Sequence, residues 1–233
     1  MTKNLFAALL VYHDIDSRSA AMNMAIDEAI LEMATEPTIR FYRWDHPALS
    51  FGYFGKFSEV ANHEGQREIV RRWTGGGIVF HGYDLTYSLI IPATDPAFGE
   101  SSMSIYLKVH AAISTTLGAR GKNVAALYER GSERDSAVAD RRYNKELCFA
   151  NPVKGDVLLD GQKIAGAAQR RTRRGLLQQG SIQGLDLGQG FEEDFVSALS
   201  VNSKTMWLEN GIVQRALEIA EQKYATTAWL RRR

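Results

Sequence analysis

The sequence predicts an α/β fold of the α+β type, in which helices cover a mixed β-sheet. Helical periodicity lies near both ends of the 233-residue chain, and the middle is rich in β-branched and aromatic residues. No repeat, low-complexity tract or Pro/Gly/Ser-rich linker divides the sequence. The composition, 45% hydrophobic and 24% charged, is ordinary for a globular protein with a core. We therefore expect residues 1–233 to form a single domain.

The first predicted elements are a helix and two strands. Apolar residues recur at helical spacing over residues 18–34, and Pro37 ends this helix. Residues 38–44 and 48–54 are rich in aromatic and β-branched side chains, and a turn containing Pro47 separates them. We expect these two segments to be paired strands.

The later elements follow in order along the chain. Asp160-Gly161 between two apolar runs is the strongest hairpin signal in the sequence. A long polar connection over about residues 118–147 breaks the pattern, and connections of this length in compact domains are often functional. The other predicted ranges are strands at 69–73, 78–81, 85–92 and 175–183, the hairpin at 156–169, and helices at 101–117, 191–199 and 212–225.

Charge and cysteine content exclude several classes of protein. The net charge of +1 provides no overall field for binding nucleic acid or a membrane surface. The longest apolar runs are too short to span a bilayer, and we expect no leader sequence. The single cysteine, Cys148, fits a reducing compartment, so we expect a cytoplasmic protein. One thiol and five scattered histidines provide no zinc-ligand spacing, and we expect no metal site.

Three consecutive glycines lie in the stretch RRWTGGGIVFH, residues 71–81. Glycines in a row cost backbone entropy, so either a tight turn or a close approach of a ligand is expected here. Backbone N–H groups beside arginine suit a carboxylate, a phosphate or a thioester carbonyl. The alternative is a hairpin turn with two solvated arginines. The candidate binding residues are Arg71, Arg72, Gly75, Gly76, Gly77 and His81.

Three further features each have a structural and a functional interpretation. Lys163 follows the Asp-Gly turn, and strand alternation favours an ordinary solvent-exposed side chain, although a lysine in a cleft would offer a positive charge. Cys148 is either a small buried hydrophobe or a nucleophile. The run RRTRR at 170–174 is either a solvated loop or a docking patch for an acidic partner.

Taken together, these segments resemble the biotin/lipoate protein ligase catalytic-domain superfamily, specifically its lipoate branch. Residues 71–81 are similar to the signature R-R-x-[ST]-G-G-x-x-V-x-H, and GQKIAGAAQRR (161–171) is similar to G-x-K-[IV]-x-G-x-A-x-R. The resemblance covers about residues 20–183, and the G-R-G-R-x-G-R-type loop of the biotin branch is absent. It implies a largely antiparallel sheet in a class II synthetase-like catalytic domain. Single-chain ligases of this family usually carry a C-terminal accessory domain, and we expect none here because the chain has no room for one after its last helix, which favours a transferase.

Two activities compete within this branch. Lipoate–protein ligases use ATP and Mg to form an acyl-adenylate, whereas octanoyltransferases take octanoate from acyl carrier protein through a cysteine thioester and need no cofactor. In the cysteine-dependent octanoyltransferases a Cys-Phe pair precedes the second signature by the interval seen for Cys148-Phe149. Gly77 favours the ligases, because the transferases often have arginine there. Gln179 stands where relatives often have histidine.

The resemblance implies roles for the candidate residues. Cys148 is the expected nucleophile, and Lys163 is expected to lower the pKa of the thiol and to relay a proton. The residues at 71–81, together with Gly166 and Ala167, are expected to hold substrate. Acceptors would be lipoyl-domain proteins, such as the glycine-cleavage H protein or the E2 component of 2-oxoacid dehydrogenases. We expect a monomer that binds neither nucleic acid nor membrane; the alternatives are a ligase, an amidotransferase and a non-catalytic acyl-binding or lipoyl-domain-binding protein.

Overall fold

The computed structural model describes residues 4–126 and 152–232. The strands are β1 Leu9–His13, β2 Thr38–Tyr42, β3 Ala48–Phe51, β4 Glu68–Arg71, β5 Val79–His81, β6 Leu85–Pro92, β7 Val124–Ala126, β8 Val157–Leu159, β9 Gln162–Arg171, β10 Gly175–Ile182 and β11 Ser203–Met206. The helices are α1 Ala20–Met33, α2 Ser102–Ala119, α3 Phe191–Leu199, α4 Asn210–Ile219 and α5 Thr227–Leu230, with a π-helical turn at Ala220–Tyr224. In the part of the chain described, no helix combines the length and apolarity needed to cross a bilayer.

Two sheets form the framework. The larger has the strand order β11-β1-β2-β6-β10-β9-β8-β7, and the smaller has the order β4-β3-β5. Strand β1 runs parallel to both of its neighbours, and every other pair in the larger sheet is antiparallel. The predicted fold class, a mixed and largely antiparallel sheet flanked by helices, is confirmed.

The prediction that residues 38–44 and 48–54 pair with each other is wrong. Strand β2 lies inside the larger sheet between β1 and β6, so both of its edges are occupied. Strand β3 has no free edge of β2 to join, and it pairs instead with β4 and β5 in the smaller sheet. The turn at Pro47 therefore carries the chain from one sheet to the other.

The Asp-Gly turn is confirmed between β8 and β9. Asp160 and Gly161 have φ values of 49° and 77°, the left-handed conformation that a two-residue hairpin turn requires. Strands β1 and β11 were not predicted, because the apolar run before β1 has no alternation and β11 is exposed and polar.

The larger sheet buries both of its faces. Along β6, Leu85, Tyr87 and Leu89 belong to a core cluster with α2 and α3. The alternate residues of β6 point to the opposite face, where Ile90 packs in a second cluster with α1 and α4. Near the smaller sheet, this second face becomes polar and lines a pocket.

Candidate active site

The pocket lies between the smaller sheet and the second face of the larger sheet. The space between its walls is about 420 Å³ when the part open to solvent is included. The sequence places small residues along its wall on β9 and β10, and these leave room for a ligand. The lining residues are Met24, Tyr42, Trp44, Ser50, Arg72, Gly76, Val79, His81, Thr86, Gly166, Ala167, Ala168, Gln179, Gly180 and Ser181.

The three glycines form a loop that is held by its backbone. Arg72 donates to the carbonyl oxygens of Gly75 and Gly77 at 3.0 and 2.8 Å. Gly76 has φ +85°, and a Cβ there would lie 3.2 Å from the Cβ of Ala168. A Cβ on Gly52 would lie only 2.1 Å from the carbonyl oxygen of Gly76. The positive φ accounts for glycine at 76 and the close approach of the loop backbone accounts for glycine at 52, whereas a Cβ on Gly75 would meet nothing within 4 Å.

Arg71 lies apart from the other predicted binding residues. Its guanidinium, on a residue only 1% exposed, donates to the backbone carbonyls of Tyr53, Gly55, Trp229, Leu230 and Arg232. The side chain does not border the pocket, and in the part of the chain described it ties the smaller sheet to the C-terminal segment. Arg71 is therefore not a solvated side chain. It also does not lie beside the pocket, where a residue that holds substrate was expected.

The expectation that Lys163 faces solvent is wrong. Its side chain is 2% exposed, and Nζ lies 2.9 Å from Oδ2 of the buried Asp156. A register shift between Val157 and Leu158 interrupts the simple alternation on which the expectation rested. A Cβ on Gly166 would lie 2.6 Å from Nζ, so the lysine amine occupies the space where a side chain at 166 would stand.

Asp156 is held by further hydrogen bonds. Tyr106 donates its hydroxyl to Oδ1 at 2.5 Å, and the backbone N–H of Val153 donates to Oδ2 at 2.6 Å. Burial, followed by the charge of Asp156, raises the pKa of Tyr106 well above its ordinary value, so the phenol keeps its proton. These contacts fix the carboxylate that positions Lys163.

His110 lies beside this cluster and is completely buried. Its Nδ1 donates to the carbonyl oxygen of Gly155 at 2.7 Å, and within the described residues its Nε2 has no hydrogen-bond partner. Burial lowers the pKa of His110 to about 4. The imidazole is therefore neutral near pH 7.

A second polar cluster lies on the opposite wall of the pocket. His81 Nε2 lies 2.7 Å from Ser50 Oγ, and His81 Nδ1 lies 2.7 Å from Asp84 Oδ2. The Trp44 indole stacks on the imidazole with the ring centroids 4.0 Å apart. Burial lowers the pKa of His81. Burial raises the pKa of Asp84, but the hydrogen bonds that the carboxylate accepts from His81, Ser181 and the Gly82 backbone outweigh it. The pKa of Asp84 is therefore lowered to about 2.

A third buried network supports the floor of the pocket. Asp27 accepts hydrogen bonds from Arg40 at 2.9 Å, from Ser88 at 2.7 Å and from Gln179 at 2.7 Å. Gln179 in turn accepts a hydrogen bond from Thr74 of the glycine-loop segment at 2.8 Å. A neutral amide therefore fills the position where relatives often carry histidine, and it links the loop to the sheet.

Comparison with known proteins places this arrangement in a family. Residues 19–211 match the model of the lipoyl protein ligase A/B catalytic domain. The chain belongs to this family. The two signature segments, 71–81 and 161–171, form the two walls of its pocket. The resemblance stated from the sequence is confirmed.

Curated relatives carry the name octanoyltransferase LipM. The protein of Brevibacillus brevis is 36% identical over 178 residues, which cover 72% of this chain and 63% of that protein. The protein of Anoxybacillus flavithermus is 36% identical over 182 residues, covering 74% and 65%. The protein of Staphylococcus epidermidis is 34% identical over 217 residues, covering 87% and 75%. The matched part thus spans slightly under two thirds of the first two relatives.

Solved structures of lipoate ligases share the fold. Ta0514 of T. acidophilum, solved with bound lipoic acid, has a TM-score of 0.72 at 20% identity, covering 96% of this chain and 98% of that one. Lipoate-protein ligase A bound with ATP has a TM-score of 0.70 at 21% identity, covering 97% and 98%. At these identities the likeness establishes the family's architecture and nothing about activity.

The structure brings most of the predicted site residues of the lipoyl protein ligase fold together. Arg72, Gly76 and His81 border the pocket from one side, and Gly166 and Ala167 border it from the other. Gly75 and Gly77 support Arg72 through their carbonyls. The predicted nucleophile, Cys148, lies outside the residues that the structure describes and stays a prediction.

The arginine run at 170–174 is divided among different contacts. Arg170 lies over the rings of Tyr53 and Trp73 at 5.0 and 5.2 Å. Arg171 donates to the carbonyl oxygens of Phe98 and Glu100 at 2.7 and 2.6 Å. Arg174 lies 3.0 Å from a carboxylate oxygen of Glu32. Three of the four arginines therefore contact other parts of the protein, and the docking patch stays a prediction.

Sequence reasoning missed several polar residues of the family's site. They are single polar residues within apolar strands or loops, and only the fold brings them together. The available signal was at Asp156, a carboxylate directly before an apolar strand. The missed residues are Asp27, Arg40, Ser50, Asp84, Tyr106, His110 and Asp156.

Proposed function

We propose that this protein is an acyltransferase that attaches an octanoyl or lipoyl group to a specific lysine of lipoyl domains through a thioester on Cys148. The observation that carries the proposal is the buried Lys163 amine, held by Asp156 against the side-chain-free Gly166 at the pocket wall. The name octanoyltransferase LipM of relatives at 34–36% identity supports the same reaction.

The first step transfers the acyl group to the enzyme. The donor's thioester carbonyl enters near Gly76 and Gly166, and the Cys148 thiolate attacks it. A new C–S bond forms, the C–S bond to the carrier breaks, and the carrier thiolate leaves and takes a proton from solvent. A free cysteine with pKa about 8.5 is mostly protonated near pH 7, so a nearby cation favours the nucleophilic thiolate. Lys163 supplies that charge. Its Nζ lies 2.9 Å from Asp156 Oδ2, and a lysine ammonium has hydrogen-bond donors and no acceptor, so in this ion pair it would stabilise negative charge on the reacting atoms.

The second step transfers the acyl group to the acceptor. The amine of the lipoyl-domain lysine attacks the Cys148 thioester, the C–N bond forms, and the thiolate leaves. Cysteine suits both steps, because its thiolate is a strong nucleophile and also a good leaving group. Each hydrogen-bond donor to the developing oxyanion, such as Lys163 or a loop N–H, lowers the activation barrier by roughly 3 kcal/mol.

The donor and acceptor follow from this chemistry. We propose octanoyl-acyl carrier protein as the donor and lipoyl-domain proteins, including the glycine-cleavage H protein or the E2 component of 2-oxoacid dehydrogenases, as acceptors. The first step exchanges one thioester for another, and cleavage of the thioester in the second step drives amide formation, so the proposed reaction needs no cofactor. The ligase alternative would need ATP and Mg, and Gly77 favours it.

One assay separates the candidate functions. The protein is incubated with apo lipoyl domain and either octanoyl-carrier, or free lipoate with Mg-ATP, and the products are measured by intact-mass spectrometry. Modification with the first donor alone supports the transferase, modification with the second alone supports the ligase, and modification with neither supports a binding protein. Cys148→Ser should abolish the acyl adduct and the transfer. Full activity of this variant would overturn the thioester route.

A further inference from the structure

The Ser50–His81–Asp84 cluster has the connectivity of a proton relay. Ser50 and His81 border the pocket, while Asp84 lies behind the imidazole. Each of the two hydrogen bonds is 2.7 Å long, which is within the range for a hydroxyl, an imidazole and a carboxylate acting in series. The mechanism above assigns these residues no role in moving a proton.

The surroundings fix the direction of each hydrogen bond. Besides His81, Asp84 Oδ2 accepts from the hydroxyls of Thr86 and Ser181 at 2.8 and 2.7 Å, so it is an acceptor only. His81 Nδ1 must therefore carry the proton. With the imidazole neutral, Nε2 has a lone pair and accepts the hydroxyl proton of Ser50.

Arg72 completes the chain at its other end. It donates to Ser50 Oγ at 2.6 Å, so the serine oxygen is already an acceptor and its proton points towards His81. A cation beside Oγ also stabilises negative charge on that oxygen as the proton leaves. The charged groups that face His81 are Asp84, which favours the imidazolium, and Arg72 and Arg67, which oppose it.

The relay and Lys163 lie close together across the pocket. Ser181, which donates to Asp84, is directly opposite Gly166 in the β9–β10 pair. Paired residues in a sheet have their Cβ positions about 5 Å apart. The Lys163 amine lies 2.6 Å from the position that a Cβ on Gly166 would take, so a reacting group at this wall lies within reach of both clusters.

We propose that Ser50, His81 and Asp84 accept the proton released when the lysine of the acceptor domain attacks the acyl group. This inference rests on the proposed function for the identity of the acceptor. The incoming amine forms the C–N bond and becomes positively charged. Its proton passes to Ser50 Oγ as the Ser50 proton passes to His81 Nε2, which leaves an imidazolium paired with Asp84. The C–S bond then breaks to release the thiolate, and the imidazolium returns its proton to solvent.

The test separates the two half-reactions in the intact protein. Acyl loading is followed by mass spectrometry, and the loaded enzyme is then mixed with apo lipoyl domain in a single turnover. Ser50→Ala removes the hydroxyl link, and His81→Asn keeps a donor for Asp84 but accepts no proton. Both variants should slow amine attack by about 100-fold, which is a much larger loss than in acyl loading. Ser200→Ala, which removes a buried hydroxyl outside the pocket, is the matched control.

The pH profile distinguishes a relay from a structural role. Below the pKa of His81, the wild-type rate of amine attack should fall with slope two in log rate against pH, since the amine and the imidazole both become protonated. Above it, the slope should be one. The bend should vanish in His81→Asn. A persisting bend, equal losses in both half-reactions, or rates within threefold of Ser200→Ala would overturn the relay.

Failure of the proposed function gives a different result. If the wild-type protein loads only from lipoate and Mg-ATP, the thioester route is wrong. The same variants are then compared from the acyl-adenylate, because amine attack on that group releases the same proton. If the protein loads from neither donor, both proposals are contradicted.

Discussion

Gly166→Ala should move the Lys163 amine without unfolding the protein. The new Cβ would lie 2.4 Å from Cε and 2.6 Å from Nζ of Lys163, and ordinary contact begins near 3.4 Å. The side chain must therefore retreat by about 1 Å. The displaced atoms are the end of a flexible side chain, so crowding is partly offset by the lower entropy of the unfolded chain, and we expect a stability change of about 1 kcal/mol.

The effect on transfer should be much larger than the effect on stability. A displacement of about 1 Å at a reacting centre costs on the order of 100-fold, or about 2.7 kcal/mol in the activation barrier. Single-turnover transfer and urea unfolding are measured on the same preparations. Gly118→Ala is the control, since a Cβ at Gly118 meets nothing within 4 Å. A folded Gly166→Ala protein that transfers within threefold of the control would refute this use of Lys163.

Three other substitutions test separate parts of the structure. Gly52→Ala places a Cβ 2.1 Å from backbone, which cannot yield as a side chain does, so we expect a loss of about 3 kcal/mol in urea unfolding; an unchanged midpoint would contradict the packing. His110 has a pKa of about 4 when folded and 6.5 when unfolded, so the folded state binds fewer protons and the free energy of unfolding falls as pH falls through this window. Between pH 7 and pH 5, His110 should lower the free energy of unfolding by about 2 kcal/mol, and His110→Asn should remove this dependence. Equal slopes of unfolding free energy against pH in both proteins would show that burial of this ring is not the cause. Arg71→Lys keeps the charge but lacks the planar fork, and stability should fall by about 2 kcal/mol because carbonyl oxygens lose their donors; no loss would mean that the fork is dispensable.

The sequence predicted elements with strong local signals. The helix at 18–34 and the strand at 85–92 have periodic apolar residues, and Asp160-Gly161 determines its own turn, so local rules were sufficient there. The pairing of strand 38–44 was mispredicted, because the occupant of a strand edge is decided by distant segments. Strand β11 joins the sheet only through β1, nearly 200 residues away along the chain.

The candidate site was predictable where a motif spans consecutive residues. The glycine loop and the Gly166 segment were found in this way. Lys163 was misplaced because a register shift in the preceding strand changes which side its amine reaches. Ser50 and Asp84 carry no local signal, and their role depends on the contact of two sheets. Asp156 precedes an apolar strand, and only the ion pair reveals its importance.

The stacked pair Trp44–His81 provides an internal optical probe of this molecule. The indole is only 7% exposed, borders the pocket and is anchored by its N–H to Thr86 at 2.8 Å. An acyl chain entering the cavity would alter the polarity around a rigid chromophore, and an imidazolium beside it would quench its emission. Substituting the other three tryptophans would leave one native fluorophore that follows occupancy and protonation during turnover, without an attached dye.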